Sequence, residues 1–162
     1  ADTYSYFDRL IDDNKLFVVS ILKQPVDSAI DFQDYNNIHL SFKDLKNIIN
    51  KKYEDWYTAL SAINGVYLIY DKNAKQRYVG SAYGDKGIWQ RWNCYVDTNG
   101  TGGNKGLIEL LQDKDEEYKN KLEFTLLEHL PFNTNKDYVI SREDYWKRVL
   151  DTRDLEEGLN HN

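Results

Sequence analysis

The chain has 162 residues, 41% of them apolar and 14% aromatic, with a net charge of −6. This length suits one domain with or without an extension, and the apolar content excludes a wholly disordered chain. The single cysteine excludes an internal disulfide, and no apolar run is long enough to cross a bilayer. Because the first residues also lack the basic and apolar regions of a secretory signal, we expect a soluble, cytoplasmic protein with no membrane partner.

Charge is unevenly distributed along the chain. Residues 1–64 carry a net charge of −3 and residues 108–162 a net charge of −6. Residues 65–107 hold 6 basic and 3 acidic side chains, a net charge of +3. A polyanion is therefore expected to contact the middle segment. An excess of this size is also within ordinary variation, so charge alone leaves the choice open.

The first third of the chain predicts a strand followed by two helices. Leu16–Leu22 is short and rich in β-branched and aromatic residues, as buried strands are, and a turn is expected near Pro25. Ser41 is placed to cap a helix whose apolar residues recur at helical spacing, and residues 53–63 predict a second short helix. We expect residues 1–64 to form an N-terminal α/β extension that packs on the following domain.

The most distinct local pattern is a β-hairpin. Two strand-like runs, Gly65–Tyr70 and Arg77–Ala82, flank a polar stretch that suits a turn. The next segment, Lys86–Val96, predicts a helix in which Arg91 stands four residues before Tyr95. This spacing places the arginine and the tyrosine side by side on the helix.

A glycine-rich loop and a third strand follow. Thr98–Gly106 holds four glycines in nine residues and predicts a loop, and residues 107–111 predict a short helix. Leu122–Leu127 alternates as a strand does. Glu128, which follows this strand, suits either a secondary carboxylate of a site or a solvent-exposed strand end.

The last predicted element is a helix capped by Ser141, with Glu143 in its first turn. Helical spacing places Glu143 on the same face as Trp146 and Leu150, so its carboxylate is expected to point inward. Glutamate is rarely buried without a partner, which makes this position unusual.

The hairpin tyrosines, Arg91 and Glu143 together indicate phosphodiester chemistry. Arginine binds phosphate bidentately, a lone carboxylate can hold a hard divalent cation, and a tyrosine can act as a base if a neighbouring cation lowers its pKa. The combination describes metal-assisted attack of water on a phosphodiester. Each residue also has a structural interpretation: tyrosines pack in sheets, Arg91 can pair with Asp85 or Asp97, and Glu143 can cap its own helix.

Two short motifs carry a resemblance to a known family. Gly65-Val66-Tyr67 and Tyr78-Val79-Gly80, ten residues apart, resemble the signature of the GIY-YIG nucleases, with valine in place of isoleucine in both halves. The later anchors follow in that family's order, and the resemblance covers residues 65–160. It implies an α+β fold in which a small three-stranded antiparallel sheet is flanked by helices, with residues 65–162 as the nuclease domain. The later anchors are Arg91, Tyr95, Glu143 and Asn160.

The resemblance implies roles for the residues nearest the scissile bond. Tyr67 would act as the base or orient the attacking water. Tyr78 would line the site and share that task. Arg91 would hold the scissile phosphate and stabilise its developing negative charge.

The same resemblance implies supporting roles for three further residues. Tyr95 would support the phosphate region, and Asn160 would close the site by hydrogen bonding. Glu143 would be the single protein ligand of one Mg²⁺ or Mn²⁺. Since most of the coordination shell would then be water and substrate oxygen, we expect weak metal affinity without DNA.

We therefore expect a divalent-metal-dependent endonuclease, a hydrolase whose partner is DNA. One small site cuts one strand at a time, so a double-strand cut would require a dimer or two visits.

The alternative is a catalytically silent domain of the same fold that binds a nucleic acid or a protein. The net charge favours this alternative, whereas the intact set of residues favours the nuclease. Candidate backbone contacts, which would position DNA without reading its sequence, are Lys72, Lys75, Lys86 and Lys105.

Overall fold

The computed structural model describes residues 30–162. The predicted strand over residues 16–22 and the turn near Pro25 lie outside this part of the chain. Residues Phe32–Asn162 form one compact unit. Residue 64, the end of the predicted extension, lies inside that unit.

The described part begins with a 3₁₀ turn, a short strand and two helices. Strand β1 spans His39–Ser41, helix α1 Phe42–Asn50 and helix α2 Glu54–Ser61. Ser41 caps α1 as predicted, because its Oγ accepts a hydrogen bond from the Asp44 N–H at 3.1 Å. The second helix ends earlier than expected, since Ile63 already belongs to the next strand.

Three further strands join β1 in the central sheet: β2 spans Ile63–Asp71, β3 spans Gln76–Ala82 and β4 spans Glu123–Pro131. The four strands are antiparallel and lie in the order β1-β4-β2-β3. The predicted α+β class and antiparallel sheet are confirmed. The three strands predicted after residue 64 are present, and the three-residue strand β1 adds a fourth at one edge.

Four further helices complete the described fold. Their bounds are Gly87–Asp97 for α3, Lys105–Leu111 for α4, Glu116–Asn120 for α5 and Lys136–Val149 for α6. Helix α5 was not predicted from the sequence. No helix within residues 30–162 has the length and apolarity needed to cross a membrane.

Helix α6 starts earlier than its sequence predicts. Its cap is Asn135, whose side chain accepts a hydrogen bond from the Asp137 N–H at 2.7 Å. The prediction that Ser141 caps this helix is therefore wrong: its hydroxyl donates to the Tyr138 carbonyl inside the helix. Glu143 consequently lies near the middle of α6 and not in its first turn, so it does not cap the helix.

The two faces of the sheet are covered by different helices. Tyr67 stands opposite Gly80 in the β2–β3 register, so both face the aromatic core that contains Trp92 of α3. Val66 stands opposite Ser81, and the Ser81 hydroxyl bonds to α6. Helix α3 thus packs on one face and α6 on the other.

The outer edge of β3 is paired with the C-terminal tail. The Arg77 N–H donates to the Glu157 carbonyl at 3.0 Å, and the Leu159 N–H donates to the Arg77 carbonyl at 2.9 Å. These bonds form a short parallel bridge between Arg77 and Gly158. The tail therefore satisfies backbone groups that an edge strand would otherwise leave to solvent.

Candidate active site

An open cleft of about 710 Å³ lies at the C-terminal end of β3. Tyr67, Tyr78, Arg91 and Glu143 all line it. These four side chains come from two strands and from helices on opposite faces of the sheet. They can meet in one cleft because β3 is an edge strand, so side chains from both faces of the sheet can approach its outer edge.

Arg91 and Tyr67 are in direct contact in this cleft. The Arg91 Nε donates a hydrogen bond to the Tyr67 Oη at 3.1 Å, and its guanidinium lies 5.1 Å from the centre of the Tyr95 ring. The alternative pairing with Asp85 or Asp97 is not seen, because none of the ion pairs in the described part of the chain involves Arg91. Arg91 therefore keeps its charge available for an anionic ligand.

Behind Tyr67, the hydroxyl groups form a hydrogen-bonded chain through Asn104. The Tyr78 Oη donates to the Asn104 Oδ1 at 2.8 Å, and the Asn104 Nδ2 donates to the Tyr95 Oη at 2.9 Å. The Tyr95 Oη in turn lies 2.9 Å from the Tyr67 Oη. Tyr95 does not line the cleft; it is fully buried and connects Tyr67 to Asn104.

The order of donors and acceptors in these hydrogen bonds determines which group Tyr67 presents to the cleft. Tyr95 already accepts from Asn104, so its buried proton is satisfied only if it donates to Tyr67. Tyr67 then accepts two hydrogen bonds, one from Tyr95 and one from Arg91. Its own proton is then used by neither of these bonds, on a hydroxyl group that lines the cleft.

Sequence reasoning missed Asn104, although the sequence carries a signal for it. Asn104 occupies the N-cap position of α4 but makes no side-chain cap hydrogen bond. Asparagine at this position usually caps its helix. Its side chain is instead bonded to the two tyrosines.

Gly80 allows the Tyr67 hydroxyl to reach its position. A Cβ atom on Gly80 would lie 2.4 Å from the Tyr67 Oη. Only glycine fits at position 80 of the second motif, because the ring of Tyr67 from the first motif lies across it.

Burial raises the pKa of both cleft tyrosines. Tyr67 is fully buried, and the loss of solvation raises its pKa well above the ordinary value although Arg91 acts in the opposite direction. The pKa of Tyr78 is also raised by burial, again against the effect of Arg91. The net direction is opposite to the lowered pKa that a tyrosine base requires, so Tyr67 is protonated at neutral pH.

Glu143 is held by two polar partners. The Ser81 hydroxyl donates to its Oε2, and the Lys147 Nζ lies 2.6 Å from its Oε1. The Lys147 side chain is only 2% exposed, and its Nζ also donates to the Asn162 Oδ1 at 3.1 Å. The predicted inward direction of Glu143 is confirmed, and Lys147, which sequence reasoning missed, supplies its counter-charge.

The donor atoms at Glu143 fit a hard divalent cation. The carboxylate and the Ser81 hydroxyl are oxygen donors, as Mg²⁺ and Mn²⁺ prefer. Within residues 30–162 no group of three or more His, Cys, Asp or Glu could hold a metal. Glu143 would thus be the main protein ligand, with its Oε1 already engaged by Lys147.

Asn160 acts on the strand and does not line the cleft. Its Oδ1 accepts from the Val79 N–H at 2.8 Å, and its Nδ2 donates to the Val79 carbonyl at 2.9 Å. Asn160 therefore pairs with β3 as a neighbouring strand would, between Tyr78 and Gly80.

Glu128 fills neither of its two expected roles. Its carboxylate accepts hydrogen bonds from the Arg142 Nε and Nη2, at 2.9 Å and 2.7 Å, and from the Trp146 Nε1 at 3.2 Å. These bonds attach α6 to β4, so Glu128 positions the helix that carries Glu143.

The four candidate DNA-binding lysines do not gather at the cleft. Lys72 pairs with Glu123 at 2.9 Å and lines a separate cavity, and Lys75 lies in the hairpin turn. Lys86 stands beside the cleft, between the lining residues Asp85 and Gly87. Lys105 is the first residue of α4, next to Asn104.

Comparisons with known proteins give structural likenesses only. No family model matches the chain, and no curated protein sequence matches it. A single-site mutant of the catalytic domain of the intron endonuclease I-TevI is 24% identical, with a TM-score of 0.48, over 62% of this chain and 94% of that one. The catalytic domain of the homing endonuclease I-TevI is 25% identical, with a TM-score of 0.45, over 61% of this chain and 98% of that one.

Proposed function

We propose that this protein is a divalent-metal-dependent endonuclease that hydrolyses DNA phosphodiester bonds. The observation that carries the proposal is the meeting of Tyr67, Arg91 and Glu143 in one open cleft. A phosphate-binding cation, a hydroxyl network and an oxygen ligand for a metal are the groups that this reaction needs. The motifs of the hairpin, which resemble those of the GIY-YIG nucleases, point to the same chemistry.

Arg91 binds the scissile phosphate and stabilises the negative charge that develops on it. Its Nε stays on Tyr67, and its Nη1 has only a long contact of 3.9 Å with the Cys94 Sγ, so the terminal guanidinium nitrogens can bind the phosphate. The bond to Tyr67 also fixes the orientation of the guanidinium before the substrate arrives, so less conformational entropy is lost when the phosphate binds.

Tyr67 orients the attacking water through its hydroxyl. As a protonated group with a raised pKa, it does not abstract the proton in the resting protein. The donors on its oxygen, Arg91 and Tyr95, would stabilise a phenolate if the bound substrate and metal lowered its pKa. Tyr78 also lines the cleft and is held through Asn104.

Glu143 would hold one Mg²⁺ or Mn²⁺, with the Ser81 hydroxyl beside it. The metal, when bound, supplies positive charge at the phosphate and a coordinated water. Lys147 neutralises the carboxylate when the metal is absent. Since a single carboxylate contributes most of the protein ligation, metal affinity without DNA is weak.

Cleavage of supercoiled plasmid with Mg²⁺, with Mn²⁺ and with EDTA tests this proposal. The matched variants are Glu143→Gln and Glu109→Gln, which replaces an exposed glutamate of α4. We expect metal-dependent cleavage by the wild type and by Glu109→Gln, and DNA binding without cleavage by Glu143→Gln. The ratio of nicked to linear product reports whether one strand or both are cut. Cleavage that persists in Glu143→Gln would refute the proposed role of this carboxylate.

The alternative is a catalytically silent domain of the same fold. The net charge of −6 favours it. DNA binding without cleavage by the wild type, under every metal condition, would select this alternative over the nuclease.

A further inference from the structure

The charges that line the cleft cannot by themselves attract a polyanion. Asp85 contributes a negative charge to the lining and Arg91 a positive charge, whereas the charge of Glu143 is balanced by Lys147. A DNA strand is long and would extend past the cleft on both sides. The attraction must therefore come from cations on the surfaces that flank it.

At the edge of the cleft, a lysine is held against an exposed tyrosine. Tyr83 lines the cleft and is 42% exposed. The Lys136 Nζ lies 5.1 Å from the centre of its ring. An aromatic ring positions an ammonium group without neutralising it.

In a second group next to the cleft, two lysines share one tyrosine. The Lys86 Nζ lies 5.9 Å and the Lys52 Nζ 4.4 Å from the centre of the Tyr57 ring. Trp89 packs edge-on against the same ring, with 5.0 Å between centroids, and holds the tyrosine in place. Lys86 joins this group to the cleft, because it stands between the lining residues Asp85 and Gly87.

These three residues, here called the rim lysines, are exposed and take part in none of the ion pairs of residues 30–162. Other lysines of the described chain are neutralised, among them Lys72 by Glu123 and Lys46 by Glu116. Lys43 of α1 is also exposed and unpaired within this part of the chain, but the three rim lysines are distinguished by their contacts with, or position next to, residues of the cleft that contains Arg91.

We propose that the rim lysines Lys52, Lys86 and Lys136 bind the DNA backbone next to the scissile phosphate. This inference rests on the proposed function, since it names how the substrate of that site is held. Tyr83 and Tyr57 keep the ammonium groups in place and offer ring surface to sugars or unstacked bases. Lys72 and Lys75, at the distant hairpin turn, lie outside this path.

The salt dependence of DNA binding tests the proposal independently of cleavage. The full chain is titrated in EDTA against a short fluorescein-labelled DNA duplex, and anisotropy is followed at several salt concentrations. The variant Lys86→Gln/Lys136→Gln removes one lysine from each tyrosine group, and Lys43→Gln/Lys121→Gln removes the same charge from exposed positions elsewhere. All four substitutions are on the surface, so folding is preserved and is checked by circular dichroism.

We expect the rim variant to bind at least about tenfold more weakly at low salt, with a slope of log K against log salt that is smaller by about two. The control variant is expected to retain the wild-type slope. Equal losses in both double variants would overturn the role of the rim lysines and leave the proposed nuclease intact. Failure of the wild type to bind DNA, or binding of an RNA duplex only, would contradict the proposed function and this inference together.

Discussion

The Lys147 Nζ lies 2.6 Å from the Glu143 Oε1, and the lysine side chain is almost completely buried. The carboxylate that would hold the metal is thus already neutralised inside the protein. A buried ion pair of this kind costs desolvation, and removal of one partner leaves the other charge uncompensated. Lys147 therefore stabilises the metal-free protein and competes with the cation for the same carboxylate.

Lys147→Met tests this competition. Without metal, we expect the free energy of unfolding to fall by about 3–5 kcal/mol. Mn²⁺ should then raise the melting temperature more than in the wild type, with an affinity that is higher by about tenfold or more, because a like charge at contact distance is removed. Calorimetric titration and thermal melting measure both effects. Lys147→Arg keeps the charge and serves as the control; an equal response to Mn²⁺ in all three proteins would contradict the competition.

Gly80→Ala tests the position of the Tyr67 hydroxyl. The added Cβ would lie 2.4 Å from the Tyr67 Oη and would displace it from Arg91. We expect cleavage to fall by at least about tenfold, with a loss of stability of about 1–3 kcal/mol from overpacking. Gly84→Ala is the control, since Gly84 also lines the cleft but a Cβ there meets no atom within 4 Å. Undiminished cleavage by Gly80→Ala would show that the hydroxyl position is not critical.

The buried tyrosines predict a loss of stability at alkaline pH. Burial raises the pKa of Tyr67 and Tyr78 above the ordinary value of 10.0. Below pH 10 both the folded and the unfolded chain keep these protons, so the stabilising contribution is fully present. Above pH 10 the unfolded chain releases its protons first, and the free energy of unfolding decreases until the folded pKa is passed.

Thermal melting as a function of pH measures this effect. We expect a melting temperature with no decrease from these tyrosines up to about pH 10 and a fall above it. The fall should be shallower in Tyr67→Phe than in Tyr145→Phe, which replaces an exposed tyrosine. Equal slopes in the two variants would show that Tyr67 does not contribute.

Asn160 is predicted to stabilise the edge of the sheet. Asn160→Ala leaves the N–H and the carbonyl of Val79 without partners, at a cost of about 2–4 kcal/mol. Asn160→Asp should be similarly destabilising, because a carboxylate can accept from the N–H but cannot donate to the carbonyl. Urea unfolding compares both with Asn50→Ala, an exposed position in α1. Wild-type stability of Asn160→Asp would contradict the two-sided pairing.

Local patterns predicted the parts of the fold that depend on local spacing. The hairpin alternates apolar residues around a polar turn, and α1 has both its cap Ser41 and an apolar face. Helix α5 escaped prediction because its sequence, Glu116–Asn120, has no apolar repeat and is held by the cap of Asp115. Ser141 was predicted to cap α6 because serine is a common N-cap residue, but Asn135, at the end of the preceding loop, is the residue that caps this helix.

The candidate site was predictable where the motifs name its residues, but not where contacts across the fold complete it. Lys147 looks like any charged residue on a helix, and only the tertiary structure turns it inward toward Glu143. Asn104 lies in a glycine-rich loop, and its bonds reach Tyr78, 26 residues away. The raised pKa of Tyr67 likewise depends on burial by the whole fold, which spacing along the chain does not report.

The most direct measurement of the central claim compares plasmid cleavage by Arg91→Ala and Arg148→Ala under single-turnover conditions with Mn²⁺. Arg91 lines the cleft, whereas Arg148 is exposed on α6. A preorganised donor to the developing charge contributes a factor of about 10²–10³ to the rate, so Arg91→Ala should lose most cleavage while Arg148→Ala retains it. Cleavage by Arg91→Ala at a rate close to that of Arg148→Ala would contradict the assignment of this cleft as the nuclease site.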